Sequence, residues 1–241
     1  METFWNTIAQ YNLHTWPYQL GIVAAGIVLT VLLYRKPAPA VKLAMKLYLV
    51  FINAWIAVVY YMVYCEQRSY NTLLALFWGI MALVWLFDLC TRYTTFERTY
   101  RNGKLSAALC LVPFVYPLVS LARGMHFPEM TFLVMPCTVA VFTIGLLLAF
   151  SKRVNIFILL FVCHWALVGL PKVYFFRIPE DLLLTASAFP ALYIFFRQYI
   201  RSNLDKQTKP SPRVLKWLLF IMCCLVAVFY TAILAHEVRM L

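Results

Sequence analysis

Residues 129–171 hold two apolar runs joined only by Ser151-Lys152-Arg153, each about twenty residues long, the length a helix needs to cross a bilayer. So short a joint predicts a tight hairpin of two membrane-spanning helices, with Cys137 and His164 at comparable depths. Similar runs recur along the whole chain. Of its 241 residues 64% are hydrophobic and 12% charged, against roughly 25% charged in an ordinary soluble domain. No segment is long and polar enough for a soluble domain. The sequence therefore predicts an all-α, polytopic transmembrane helical bundle, residues 1–241 forming a single membrane domain.

Eight spans account for the pattern, at about 18–34, 43–64, 71–90, 105–122, 129–150, 153–171, 181–199 and 214–235. Ahead of them, Phe4, Trp5, Ile8 and Tyr11 recur at helical spacing in residues 1–17. This stretch predicts a short helix lying in the membrane interface, where Trp and Tyr are favoured. It carries Glu2 and no Lys or Arg, unlike the n-region of a cleavable signal peptide. Span four holds Pro113 and Pro117 on either side of Tyr116. Each proline removes a backbone donor and frees a carbonyl, which predicts a kink.

Charge tests the span count. Sixteen of the 21 Lys and Arg fall in alternate connections, at 35–46, 92–104, 152–153 and 197–216. The other five are Arg68, Arg123, Lys172, Arg177 and Arg239, and six of the nine acids share their side. Basic residues concentrate on the cytoplasmic face, so the larger set lies inside and both termini face outward. The net charge of +12 is thus an orientation signal suited to anionic lipids at the inner face. Nucleic acid is not expected as a partner. A homo-oligomer is compatible with the pattern.

The seven cysteines fall mostly inside apolar runs and do not read as a disulfide framework. Polar residues within the spans are the candidates for a site, because such groups in lipid must be paired or face water. Asn53, Tyr116, Cys137, Thr138, His164, Thr185 and Ser187 are the candidate lining of an outward-opening midplane cavity. Interhelical hydrogen bonding is the plainer account of the same residues. Glu129, Glu180 and Asp181 would stand at its outer entrance, although Glu180-Asp181 after Pro179 also suits a helix N-terminus. Cys137, Cys163 and His164 carry soft-metal ligands of the kind Cu(I) or Zn(II) takes. Adjacent helical residues point about 100° apart, so Cys163 and His164 cannot both face Cys137 squarely. No other cofactor is implied. No hydrolase, metalloprotease or phosphate-loop motif is present, and an intramembrane Cys137–His164 nucleophile would lack an orienting acid at its depth. An enzyme is therefore not expected.

Several short motifs run through most of the chain in order. They are Tyr11-Asn12 with Trp16-Pro17 and Gln19, Tyr116-Pro117, Gly124 to Pro128, Met135-Pro136-Cys137 through Phe142 to Leu147, Trp165 with Gly169, and Ile178 to Leu182. In these the chain resembles an uncharacterised family of multi-pass bacterial membrane proteins, a domain of unknown function. The resemblance implies a bacterial cytoplasmic (inner) membrane location and supplies no activity. The expected function is binding or transport of a small solute or ion through the midplane cavity. The alternative is a non-transporting scaffold, sensor or interaction module.

Overall fold

The computed structural model describes residues 2–68, 70–97, 103–175 and 177–203, together with Trp217, Phe220, Cys224 and Val228. Seven α-helices follow in order: α1 Glu2–Arg35, α2 Pro39–Trp55, α3 Asn71–Thr91, α4 Gly103–Ala122, α5 Pro136–Phe150, α6 Ile156–Phe175 and α7 Asp181–Asn203. A π-helical segment, Ile56–Tyr64, continues α2. Five helical stretches are long and apolar enough to cross a membrane: Thr3–Arg35, Pro39–Tyr64, Asn71–Thr91, Gly103–Ala122 and Phe157–Tyr174. Pro136–Phe150 and Asp181–Phe195 are apolar but shorter. The expected eighth span, 214–235, lies outside the described residues apart from four positions in it.

Two expectations need correction. Residues 2–17 are not a separate interfacial helix, because α1 runs unbroken through Pro17. At 1.5 Å per residue its 34 residues reach about 50 Å, well beyond a bilayer core. The excess is not left in water or headgroups alone: Ile8, Tyr11, Asn12 and Thr15 are buried against protein. The second correction concerns residues 129–150. Their helix begins only at Pro136, and 123–135 form an irregular connection that includes a cis peptide bond before Pro128.

The α4 terminus explains where that connection starts. Gly124, at φ +80°, takes the left-handed conformation that closes a helix. Its N–H bonds the Leu121 carbonyl at 2.9 Å and the Met125 N–H bonds the Ser120 carbonyl at 3.1 Å. The far end is set by Pro136 at the first helical position, where a missing N–H costs nothing. The Thr138 hydroxyl accepts the Met135 N–H at 3.0 Å and lies 2.8 Å from the Leu133 carbonyl.

Buried backbone outside helices persists only where other groups satisfy its N–H and C=O. Here α1 does so. Asn12 donates to the Pro128 and Met130 carbonyls at 2.8 and 2.9 Å. Tyr11 donates to the Val134 carbonyl at 2.7 Å, and Gln19 accepts the Val134 N–H at 3.2 Å. The polar side chains on the buried face of α1 thus serve as a brace for the segment leading into α5.

Helix α5 is the core of the bundle, with twelve of its fifteen residues buried. It packs along α4 and also contacts α6 and α7, while α2 lies along α3 and α6 along α7. Gly145 permits the closest approach: a Cβ there would stand 2.7 Å from the Cys110 backbone nitrogen. At the end opposite Asp181, Lys46 and Asp88 form a buried ion pair at 2.8 Å. Asp88 also accepts the Thr94 N–H and hydroxyl at 3.0 and 2.7 Å, and the Asn155 N–H bonds the Thr94 hydroxyl oxygen at 3.1 Å. Thr95–Phe96 pairs antiparallel with Ser151–Arg153 beside them. The α5–α6 turn is therefore tied to α2 and α3 through one polar knot. Lys46, counted above among the connection charges, is in fact internal, as is Asp88.

Candidate functional site

The late start of α5 changes the depth of Cys137. It sits in the first turn of the helix, at the end of the bundle where α7 begins and α6 finishes. The neighbour this gives it is Lys172, in the last turn of α6. The Lys172 ammonium donates toward the Cys137 sulfur at 3.4 Å, and the Cys137 thiol donates to Asp181 Oδ2 at 3.3 Å. His164 is eight residues before Lys172, about 12 Å deeper along α6. The expected pairing of Cys137 with His164 does not form.

Cys137, Lys172 and Asp181 line one cavity of about 50 Å³. Arg68, Trp165, Thr131 and the tyrosines Tyr60, Tyr61, Tyr70 and Tyr116 line it as well. The π segment supplies Tyr60 and Tyr61, and such wide turns recur at functional sites. Lys172 lies back over the Trp165 ring, 4.1 Å from its centroid. Arg68, 7% exposed, donates from Nη2 to the Phe4 carbonyl at 2.9 Å and stacks 4.4 Å over the Phe4 ring. Asp181 is 1% exposed, and neither cation lies within ion-pair distance of it. Close α6–α7 contact holds the arrangement: a Cβ at Gly169 would meet Thr185 Oγ1 at 3.0 Å and the Asp181 carbonyl at 3.2 Å.

Just outside the helical segments, burial raises the Cys65 thiol to about 11, with Arg68 pulling the other way. Burial likewise raises the Tyr70 phenol, against the opposing pull of Arg68 and Lys172. Both stay neutral near pH 7, so neither adds a charge to the cavity beside Arg68, Lys172 and Asp181.

Glu180 does not share the cavity. Its carboxylate accepts Ser120 at 2.6 Å and two bonds from Arg123 at 3.1 and 2.9 Å, and Arg123 also donates to the Arg177 carbonyl at 2.7 Å. This network ties the α4 terminus to the turn before α7. Glu129 is exposed in the 123–135 connection.

Of the expected cavity residues, Tyr116 and Cys137 meet at this site, together with Asp181 from the expected entrance. The others turn to their own helices or connections. Asn53 donates to the Leu49 carbonyl at 2.7 Å, Thr185 to the Asp181 carbonyl at 3.1 Å, and Ser187 to the Leu184 carbonyl at 2.6 Å. Thr138 caps α5 as described, and His164 is buried with its ring 5.9 Å from that of Phe77. Cys137, Cys163 and His164 do not assemble, and among the described residues no three His, Cys, Asp or Glu are grouped to hold a metal ion.

Sequence reasoning missed Lys172, Arg68 and Trp165. The signal for Lys172 was the apolar Val173-Tyr174-Phe175 beyond it, which carries α6 past the expected boundary. A second crevice, about 220 Å³ and lined almost wholly by apolar residues of α1, α2, α4 and α5, lies on the other side of the 133–139 segment.

The residues that build and brace this end are those of the sequence motifs: Tyr11, Asn12 and Gln19, Tyr116, Gly124 to Pro128, Met135 to Cys137, Trp165, Gly169, and Glu180-Asp181. Over residues 1–206 the chain matches the family model described as Family of unknown function (DUF6064). The chain belongs to that family. No curated protein and no solved structure matches it. For this DUF6064 chain the motifs have a physical reading: most of them hold the irregular connection, close the helix ends or line the cavity.

Proposed function

We propose that this protein is an eight-span bundle of a bacterial cytoplasmic membrane, with both termini outside, that binds a small solute in the cavity at its Asp181 end. The observation that carries the reading is one small cavity walled by Arg68, Lys172, Asp181 and Cys137. Buried charges that are not paired with one another are costly, and intramembrane ionisable groups mark ligand paths. The alternation of basic connections supports the eight spans and argues for an outward orientation of this end. The basic inner face would rest on anionic lipid.

Binding is favoured over open passage. Beyond the cavity, α5 presents Val139, Ala140, Val141, Ile144 and Leu146 to Leu148, and α6 presents Leu159, Val162 and Ala166, all buried. Transport would need these layers to part. A receptor or sensor would not, which keeps that second reading in play on the same observation.

Thermal unfolding of the purified full-length chain across a panel of small solutes tests the proposal. A ligand at a hundred times its Kd stabilises by about 2.7 kcal/mol. At least one solute should raise the unfolding temperature saturably in wild type, and far less in Lys172→Met and Asp181→Asn. Flux in proteoliposomes then separates transport from binding alone. A panel with no stabilising solute would sink the reading.

A further inference from the structure

The charges and the size of the cavity together select one class of solute. This inference rests on the binding reading above and deepens it. Two cationic side chains and one carboxylate line the space, so cationic groups outnumber anionic ones. The nearby acids do not offset the excess: Glu180 is held by Arg123 and Ser120, and Glu66 and Glu129 are exposed.

The donors are also in excess. Arg68 Nε is buried and has no hydrogen-bond partner, and the same is true of the Trp165 indole N–H. The Tyr116 hydroxyl lies beside Asp181. Lys172, half-buried, spends its ammonium on a thiol and a ring face, both weak partners for a cation. An uncompensated buried cation is strongly unfavourable, and stacking on one ring offsets only part of that. On the acceptor side, the Asp181 carboxylate is already engaged by the Cys137 thiol. The wall therefore carries more cationic groups and unpartnered donors than its one carboxylate can meet.

Size narrows the class. A water needs about 10–15 Å³ of such space, so about 50 Å³ takes roughly four water-sized units. We infer that the cavity binds a small free anion of at most about four non-hydrogen atoms, such as a halide, nitrate or formate, held between Arg68 and Lys172. A cation would meet two like charges. An amino-acid zwitterion or a lipid phosphodiester is too large.

The test uses the full-length protein, purified in detergent, with sodium gluconate holding ionic strength constant. Chloride, bromide, nitrate and formate are titrated while unfolding temperature is read. Parallel arms use glycine, choline, glycerol and phosphatidylglycerol micelles. At least one small anion should stabilise saturably. Arg68→Gln and Lys172→Met should each weaken its apparent affinity about thirtyfold or more, as loss of one member of a buried charge pair does. Arg68→Lys should retain most of it. Should Arg68→Gln fail to fold, bromide quenching of fluorescence, taken as the difference between wild type and Trp165→Phe, reads occupancy directly.

Stabilisation by glycine, choline, glycerol or phosphatidylglycerol but by no small anion would overturn the anion assignment and leave the cavity reading standing. An anion effect equal in wild type and both variants, or no quenching that depends on Trp165, would also overturn it. No stabilisation by any arm would remove both.

Discussion

Asn12→Leu is the perturbation that best separates a braced connection from a self-supporting one. Asn12 is fully buried and its side-chain amide serves two carbonyls, Pro128 at 2.8 Å and Met130 at 2.9 Å. Its own oxygen lies 3.4 Å from the Gln19 amide. Leucine keeps the volume and removes both donors. Each carbonyl left buried without a partner costs about 1–3 kcal/mol. Hydrogen bonds between membrane helices average only about 0.6 kcal/mol, because unfolded segments in lipid find other partners. The 127–135 backbone is irregular and has no helix of its own to fall back on, so the higher range applies. Two carbonyls then give about 2–6 kcal/mol, a factor of about 30 to 20,000 in the folding equilibrium. Denaturant unfolding in mixed micelles measures it. Because the connection leads directly into Pro136 and Cys137, alkylation of Cys137 should quicken by a similar factor under native conditions. A loss below about 0.5 kcal/mol with unchanged Cys137 alkylation would refute the brace.

Three other outcomes follow from the packing. Lys46→Met leaves Asp88 charged and buried and should cost about 3–5 kcal/mol, while Lys46→Met with Asp88→Leu should recover most of it in the same unfolding assay. Gly145→Ala drives a methyl into the Leu109–Cys110 backbone, so it should lower stability by about 1–3 kcal/mol, whereas Gly79→Ala, with open space around it, should leave stability unchanged or slightly raised. Cys65, raised to about 11 from an ordinary 9.0 by burial, stays protonated in the folded chain after it has ionised in the unfolded one. The folded state then holds the extra proton, so stability contributed by Cys65 is complete below pH 9 and falls between pH 9 and 11, by about 2–3 kcal/mol in total. Cys65→Ala should flatten that part of the stability–pH curve.

The helices were legible because lipid imposes a length and a polarity on any spanning segment. Residues 71–90 and 105–122 were expected and Asn71–Thr91 and Gly103–Ala122 are observed. The π segment and the irregular 123–135 connection were not, because apolar composition alone does not say whether backbone bonds close within one helix. Met130 to Val134 look like span residues, yet the polar backbone of Met130 and Val134 is met by Tyr11, Asn12 and Gln19 more than a hundred positions earlier.

The candidate site shows the same division. Tyr116, Cys137 and Asp181 were singled out because a polar group in an apolar run stands out in one dimension. Their convergence, and the exclusion of His164, Asn53, Thr185 and Ser187, depended on where α5 begins. A shift of seven residues moves Cys137 about 10 Å along the bundle, from the level of His164 to that of Lys172. Lys172 and Arg68 were read as connection charges because burial of a cation is a property of what surrounds it.

By itself, the sequence determined the all-helical class and the approximate place of most helices, since each depends on composition within a local window. Only the tertiary structure decided which polar groups meet. That choice rests on helix start points and backbone partners supplied from distant parts of the chain, and no local window contains them.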